Sequence, residues 1–200
     1  MNRMRRGTTI TLIALAVASA PAMGQIGGSP GEAFLSALRG SNSGKALELV
    51  QGKGSTVVNY RGDDGDAGLH IVVRNRESGW IDYLLRNGAN PDVGDKRGDT
   101  PLILAVRTGY VEAAALLLRA HAQVDKTNRL GETALIVAVQ QRNVRMTSTL
   151  LELGANPDKP DHASGYSARD YAKRDSRSRE MLRLIETLKS KVPVQAATAR

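Results

Sequence analysis

A period of 33 residues runs through the middle of this chain and constrains its fold more than any other feature. Gly98-Asp99-Thr100-Pro101-Leu102 returns as Gly131-Glu132-Thr133-Ala134-Leu135 and is preceded by Gly65-Asp66-Ala67-Gly68-Leu69, each 33 residues apart. A second landmark keeps the same spacing: Leu84-Leu85-Arg86-Asn87-Gly88-Ala89-Asn90-Pro91-Asp92, then Leu117 to Asp125, then Leu150 to Asp158. Gly165-Tyr166-Ser167-Ala168-Arg169-Asp170-Tyr171-Ala172 opens a fourth copy one residue late. Self-similarity at such a period means one small unit used repeatedly, each burying its apolar side only against its neighbours.

The landmarks have separate physical jobs. Thr100 is placed to cap a helix through its hydroxyl, and Pro101 at the first helical position gives up only an N–H that would be unpaired there. Leu102, Ala105 and Val106 then recur at helical spacing. A second helix is predicted near Val111 to Arg119, with Ala114, Leu117 and Leu118 on its apolar side. Gly88 and Gly154 stand just past the equivalent helices, where a left-handed residue closes the last turn, and Asn-Pro-Asp follows in extended or turn backbone. Each unit is therefore expected to be two short helices back to back.

This pattern resembles the ankyrin repeat, whose unit is a β-turn with two antiparallel helices and a Thr-Pro-Leu-His opening. The resemblance spans roughly residues 30–190 and implies an all-α repeat solenoid with hairpin-like loops. The motif's histidine is present at His70, while Ile103 and Ile136 take its place in the next two copies and Arg169 replaces the usual leucine in the fourth. Residues 25–60, with Phe34, Leu35, Leu38, Leu47, Leu49 and Val50, read as N-terminal capping helices, and residues 61–190 as about four repeats. The helix expected around Ser178 to Ser190 would close the far end. The glycine-rich stretch from Gly52 to Gly68 reads as a long, mobile loop, Trp80 is expected to pack on the N-terminal cap, and residues 191–200 read as a disordered tail.

The N-terminus has its own logic. Arg3, Arg5 and Arg6 precede an apolar run from Ile10 to Ala20, then Pro21 and small residues, which is the layout of a secretory signal peptide over residues 1–24 with cleavage after Gly24. The run is far shorter than the ~20 residues needed to cross a bilayer, so the mature protein is expected to be soluble, monomeric, and periplasmic or secreted. The formal charge of +8 is concentrated at the two ends: residues 25–171 hold 17 charges of each sign, whereas residues 172–200 hold eight basic and three acidic ones. Nucleic acid, which needs a clustered basic face, is therefore not the expected partner.

Little catalytic chemistry is legible. Without cysteine there is no disulfide framework, thiol nucleophile or zinc ribbon. His70, His121 and His162 lie too far apart for a sequence-local metal site, and no G-x-S-x-G elbow accompanies the serines. Gly52-Lys53-Gly54-Ser55 lacks the Gly-Lys-Ser/Thr of a phosphate loop. Asp63, Asp64 and Asp66 surround Gly65 without the spacing of a calcium loop, and read as a solvated turn. No enzyme activity, metal or cofactor is expected. At 4% aromatic residues the core must be aliphatic.

The resemblance implies protein–protein recognition through hairpin tips and inner helix faces. By register these are Asp63, Asp64, Asp66, Arg74 and Asn75; Lys96, Arg97, Asp99, Arg107 and Thr108; Arg129, Leu130, Glu132, Gln140 and Gln141; and Tyr166, Arg174 and Asp175. They fall into two columns: Asp66, Asp99 and Glu132 ending in Tyr166, beside Arg74, Arg107 and Arg174 interrupted by Gln140. In one reading the columns recognise a partner of mixed charge, with Arg97, Arg107, Leu130 and Tyr166 as anchors. In the other they pair across repeats and merely solubilise the groove. The expected protein is thus a non-catalytic module of the bacterial envelope binding a protein partner. The alternative is a structural protein docking on an anionic surface through its basic tail.

Overall fold

The computed structural model describes residues 28–53 and 55–189. The expected signal peptide over residues 1–24 with its cleavage site, and the expected tail over residues 191–200, lie outside the described residues. Among the described residues there are eleven α-helices and no extended strand. The first pair is α1 (Pro30–Arg39) and α2 (Ser43–Lys53), followed by a single turn, α3 (Ser55–Val58). Four further pairs follow: α4 (Gly68–Arg74) with α5 (Ser78–Arg86), α6 (Pro101–Arg107) with α7 (Val111–Arg119), α8 (Ala134–Gln140) with α9 (Val144–Glu152), and α10 (Ala168–Arg174) with α11 (Arg179–Lys189). Helices α4, α6 and α8 begin 33 residues apart and α10 one residue late, as the sequence landmarks do.

The first helices of the pairs stack in the order α1, α4, α6, α8, α10, and the second helices stack behind them as α5, α7, α9, α11. The protein is therefore an all-α repeat stack with two helical layers. The inner layer carries the aliphatic core. Leu102, Ile103, Leu104, Ala105 and Val106 of α6 and Leu135 to Val139 of α8 are all buried between the helices before and after them. The second helices bury one face only, through Ile81 and Leu84, Ala114 and Leu117, or Met146 and Leu150.

Helix ends follow the sequence signals. Thr100 Oγ1 accepts from the Ile103 N–H and Thr133 Oγ1 from the Ile136 N–H, each at 3.2 Å. Ser167 and Asp170 cap α10 reciprocally. The first repeat has Ala67 at the cap and no hydroxyl to offer. The His70 ring supplies the reciprocal half of a capping box instead, its Nδ1 accepting the Ala67 N–H at 3.1 Å. Gly88 and Gly154 close α5 and α9 at φ of 82° and 90°, and His121 does the same for α7 at φ of 62°.

One expectation is corrected. The stretch from Gly52 to Gly68 is not a long featureless loop: Ser55–Val58 form α3, which buries Val57 and Val58 on the core, and Arg61 bridges to Ala67 in a tight hairpin. The apolar pair of valines is long enough to anchor a helical turn, so the loop shortens to the hairpin that every repeat needs. Trp80 packs toward the N-terminal cap as expected, its indole Nε1 donating to Ser43 Oγ of α2 at 3.2 Å.

One core position is poorly served. Thr147 is fully buried in α9 where the two preceding repeats have Ile81 and Ala114, and its hydroxyl has no hydrogen-bond partner. An unpaired buried hydroxyl costs roughly 1–3 kcal/mol. Thr147→Val is expected to raise stability by about 1 kcal/mol in urea unfolding; a loss of stability would mean that the hydroxyl is satisfied in solution.

Candidate binding surface

From the second repeat on, each unit opens with a hairpin whose shape is set by one polar side chain, at the position that Gly62 holds in the first. Asp95 Oδ1 accepts the N–H groups of Arg97 and Asp99 at 2.7 and 2.9 Å, and Asn128 Oδ1 accepts those of Leu130 and Glu132 at 3.0 Å each. Asp161 does the same for Ser164 and Gly165. Successive hairpins are joined through their backbones, Arg129 N–H to the Arg97 carbonyl at 3.0 Å and His162 N–H to the Leu130 carbonyl at 2.9 Å. Gly98 lies in that contact at φ of 78°, where a Cβ would stand 2.8 Å from the Arg129 nitrogen. At Gly65, Gly98 and Gly131 the glycine is therefore required by the next hairpin as well as by its own turn, whereas Gly165 serves its own turn alone.

The two columns meet each other. Arg74 grips Asp66 with both terminal guanidinium nitrogens, Nη1 at 2.7 Å and Nη2 at 3.2 Å. Arg107 donates from Nε to Asp99 at 2.9 Å and from Nη2 across the repeat boundary to Glu132 at 2.7 Å. Asn128 Nδ2 lies 2.8 Å from both Asp99 and Glu132, closing the network, and Arg97 Nη2 reaches Asp99 at 3.2 Å. Asp99 is fully buried at its centre. In the fourth copy the carboxylate position is Tyr166, and Arg174 answers with a hydrogen bond to its hydroxyl at 2.9 Å and a stack over its ring at 4.5 Å. Gln140, at the end of α8, is exposed.

Charge on this surface is therefore sorted by depth. Asp66, Asp95 and Asp99 are buried and Glu132 is half-buried, whereas Lys96, Arg97 and Arg129 are exposed. Burial pushes the Asp66 carboxyl up, but the Arg74 guanidinium outweighs it and holds Asp66 below the usual carboxylate range. Burial likewise disfavours the Arg107 cation, and Asp99 together with Glu132 more than restores it. Leu130 stands among the exposed cations with 55% of its surface open. An open pocket of about 310 Å³ lies between these tips, lined by Lys96, Arg97, Arg107, Asn128, Arg129 and Leu130, with Asp99 at its floor.

Of the residues expected here, the structure brings Lys96, Arg97, Asp99, Arg107, Arg129, Leu130 and Glu132 together between the second and third repeats. Asp66 with Arg74, and Tyr166 with Arg174, sit one repeat away on either side. The Asp63, Asp64 and Asp66 cluster is divided, because Asp64 pairs with Arg39 at 2.7 Å while Asp66 turns inward to Arg74. No three His, Asp or Glu side chains converge as a metal site among the described residues.

A further ladder lies in the turns that lead from each helical unit to the next hairpin. Asn59, Asp92 and Asp125 each accept the backbone N–H of the residue 31 positions later, Asn90, Gln123 and Asn156, at 2.8 to 2.9 Å. Asn59, Asp92, Asp125 and Asp158 are themselves 33 apart, so the period carried the signal. Arg76 and Arg142 form a third set, left-handed at φ of 60° and 54°. Arg76 reaches the Thr108 carbonyl and the Tyr110 ring, and Arg142 binds Asp175 at 2.6 Å.

A family model for ankyrin repeats matches residues 69–161, in three copies. Comparison with curated proteins gives no match.

His70 generates a pH prediction. Its Nδ1 accepts from Ala67 and its Nε2 faces the Asp99 carbonyl at 3.0 Å, so the neutral ring protonated on Nε2 satisfies both contacts. Burial holds its pKa below 6.5. The unfolded chain then binds more protons than the folded one below about pH 6.5, and stability must fall as the pH drops through that value. The unfolding midpoint should decline between pH 7 and pH 5 in the wild type and decline less in His70→Asn; parallel profiles would contradict this assignment.

Proposed function

We propose that this chain, an ankyrin-repeat protein, is a non-catalytic binding module that recognises a protein partner through its hairpin tips and the adjoining ends of its inner helices. Ankyrin repeats are a protein–protein interaction module, and the family is generally non-catalytic. The observation that carries the reading is the patch between the second and third repeats. There Leu130, an exposed leucine on a hairpin pinned by Asn128 and by His162, is ringed by Lys96, Arg97 and Arg129. An exposed side chain on fixed backbone loses little entropy when it is covered, and the arginines beside it are of the type enriched at interface hot spots.

The polar groups beneath that patch are committed to one another. Asp99, Arg107, Asn128 and Glu132 form a closed network, and both His70 ring nitrogens are engaged, which leaves them with a structural task. Arg107 belongs to the framework that positions the surface; Arg97, Arg129 and Leu130 present themselves to a partner.

The N-terminal segment supports a place in the bacterial envelope after export, with the mature chain acting as a monomer. No helix among the described residues is long and apolar enough to cross a membrane. The test is a pull-down from envelope extract with the mature chain at low and high salt. One specific protein should be retained by the wild type and reduced at least ten-fold with Arg97→Ala/Leu130→Ala. Equal retention by the variant would overturn the surface, and binding abolished by salt and by truncation of the basic tail would favour docking through the tail instead.

A further inference from the structure

Resting on that reading, we infer that the segment bound between the second and third repeats is a short acidic peptide stretch carrying one apolar side chain. The sequence offers charges of both signs at these tips, and a partner of mixed charge would follow if both were presented. The structure sorts them. Asp99 is fully buried under three donors, Asp95 is buried holding its own hairpin, and Glu132 is occupied by Arg107 and Asn128. Lys96, Arg97 and Arg129 remain exposed, Arg97 while its Nη2 reaches Asp99 at 3.2 Å, so the face a partner meets carries three cations, of which Arg97 already answers a buried carboxylate.

The patch is also bounded. The preceding tip carries Asp63 and Asp64, both exposed, and the following one carries His162, Ala163 and Ser164. Packed helices are spaced about 8–10 Å, so two neighbouring tips span about the length of three extended residues. A nucleic acid or other polyanion laid along the stack would run from these cations onto the preceding tip, where exposed Asp63 faces it and Asp64 is already paired with Arg39. Two carboxylates flanking an aliphatic or aromatic side chain fit the available space: the carboxylates face Lys96, Arg97 and Arg129, and the apolar group covers Leu130. The 310 Å³ pocket, floored by the Asp99 network, admits one such side chain.

The experiment selects binders from a random heptapeptide library on the mature chain, then measures the selected peptides by fluorescence anisotropy. Selected sequences should carry at least two Asp or Glu within about four residues of a Leu, Ile or Phe. Arg97→Glu/Arg129→Glu should weaken them at least ten-fold at unchanged circular dichroism, as should Lys96→Glu alone in the same direction by a smaller factor. Replacing the peptide's apolar residue by serine should also weaken binding. Neutral or basic peptides that bind and are lost on Leu130→Ala would overturn the acidic chemistry while leaving the binding-module reading standing. Peptides indifferent to all of these variants would overturn both. Failure to select any peptide, or tighter binding of an oligonucleotide or polyphosphate than of the best peptide, would overturn the inference.

Discussion

A helix of seven residues does not hold its shape in water, and the inner layer of this protein is built almost entirely of such helices. Isolated helices shorter than about 12 residues are marginal even in favourable sequences. These sequences are not favourable, because α4 contains Ile71, Val72 and Val73 in succession and α8 contains Ile136, Val137 and Val139, residues of modest helix propensity. Their order therefore comes from the helix on either side, and contact with the next repeat is the constraint on which everything else rests. The aliphatic layer supplies the drive to stack, while polar contacts fix how the repeats stack.

Those polar contacts run in three parallel lines. At one end Asn59, Asp92 and Asp125 each hold the backbone of the following repeat. At the turn between inner and outer helices, Arg76 and Arg142 reach forward to Tyr110 and Asp175. At the hairpins, Arg97 accepts from Arg129 through the backbone, and Arg107 spans from Asp99 to Glu132. This third line gives the surface its character. Carboxylate and cation therefore separate by depth within a few residues of sequence: Asp99 is buried, while Lys96 and Arg97 are exposed.

Much of the fold was legible because the period records it. The helix predicted near Val111 to Arg119, the cap at Thr100 and the left-handed closures at Gly88 and Gly154 all follow from local chemistry repeated in register. The order of the Gly52 to Gly68 stretch was less visible. Glycine and serine there suggest looseness, while the two valines that anchor α3 act only against a core that the sequence does not display. The candidate surface was half legible. Register alone places Asp66, Asp99 and Glu132 beside Arg74 and Arg107, but depth is a tertiary property, so whether a carboxylate meets a partner or a neighbouring arginine could not be read from spacing. The Asn59, Asp92 and Asp125 ladder was written in the period, yet its donors are backbone groups and leave no mark in the sequence.

Arg107 joins the second repeat to the third through a shielded ion pair with Glu132. A double-mutant cycle on Arg107→Ala and Glu132→Ala in urea unfolding measures it directly. Their side chains are 30% and 13% exposed, unlike the open Lys45–Glu48 pair at 49% and 69%. Residues sharing a shielded network couple by about 0.5–3 kcal/mol, whereas exposed pairs give roughly 0–1 kcal/mol. A favourable coupling above about 1 kcal/mol is expected for Arg107–Glu132, clearly above that of Lys45–Glu48; equal and negligible couplings at the two pairs would mean that this ion pair does not join the repeats.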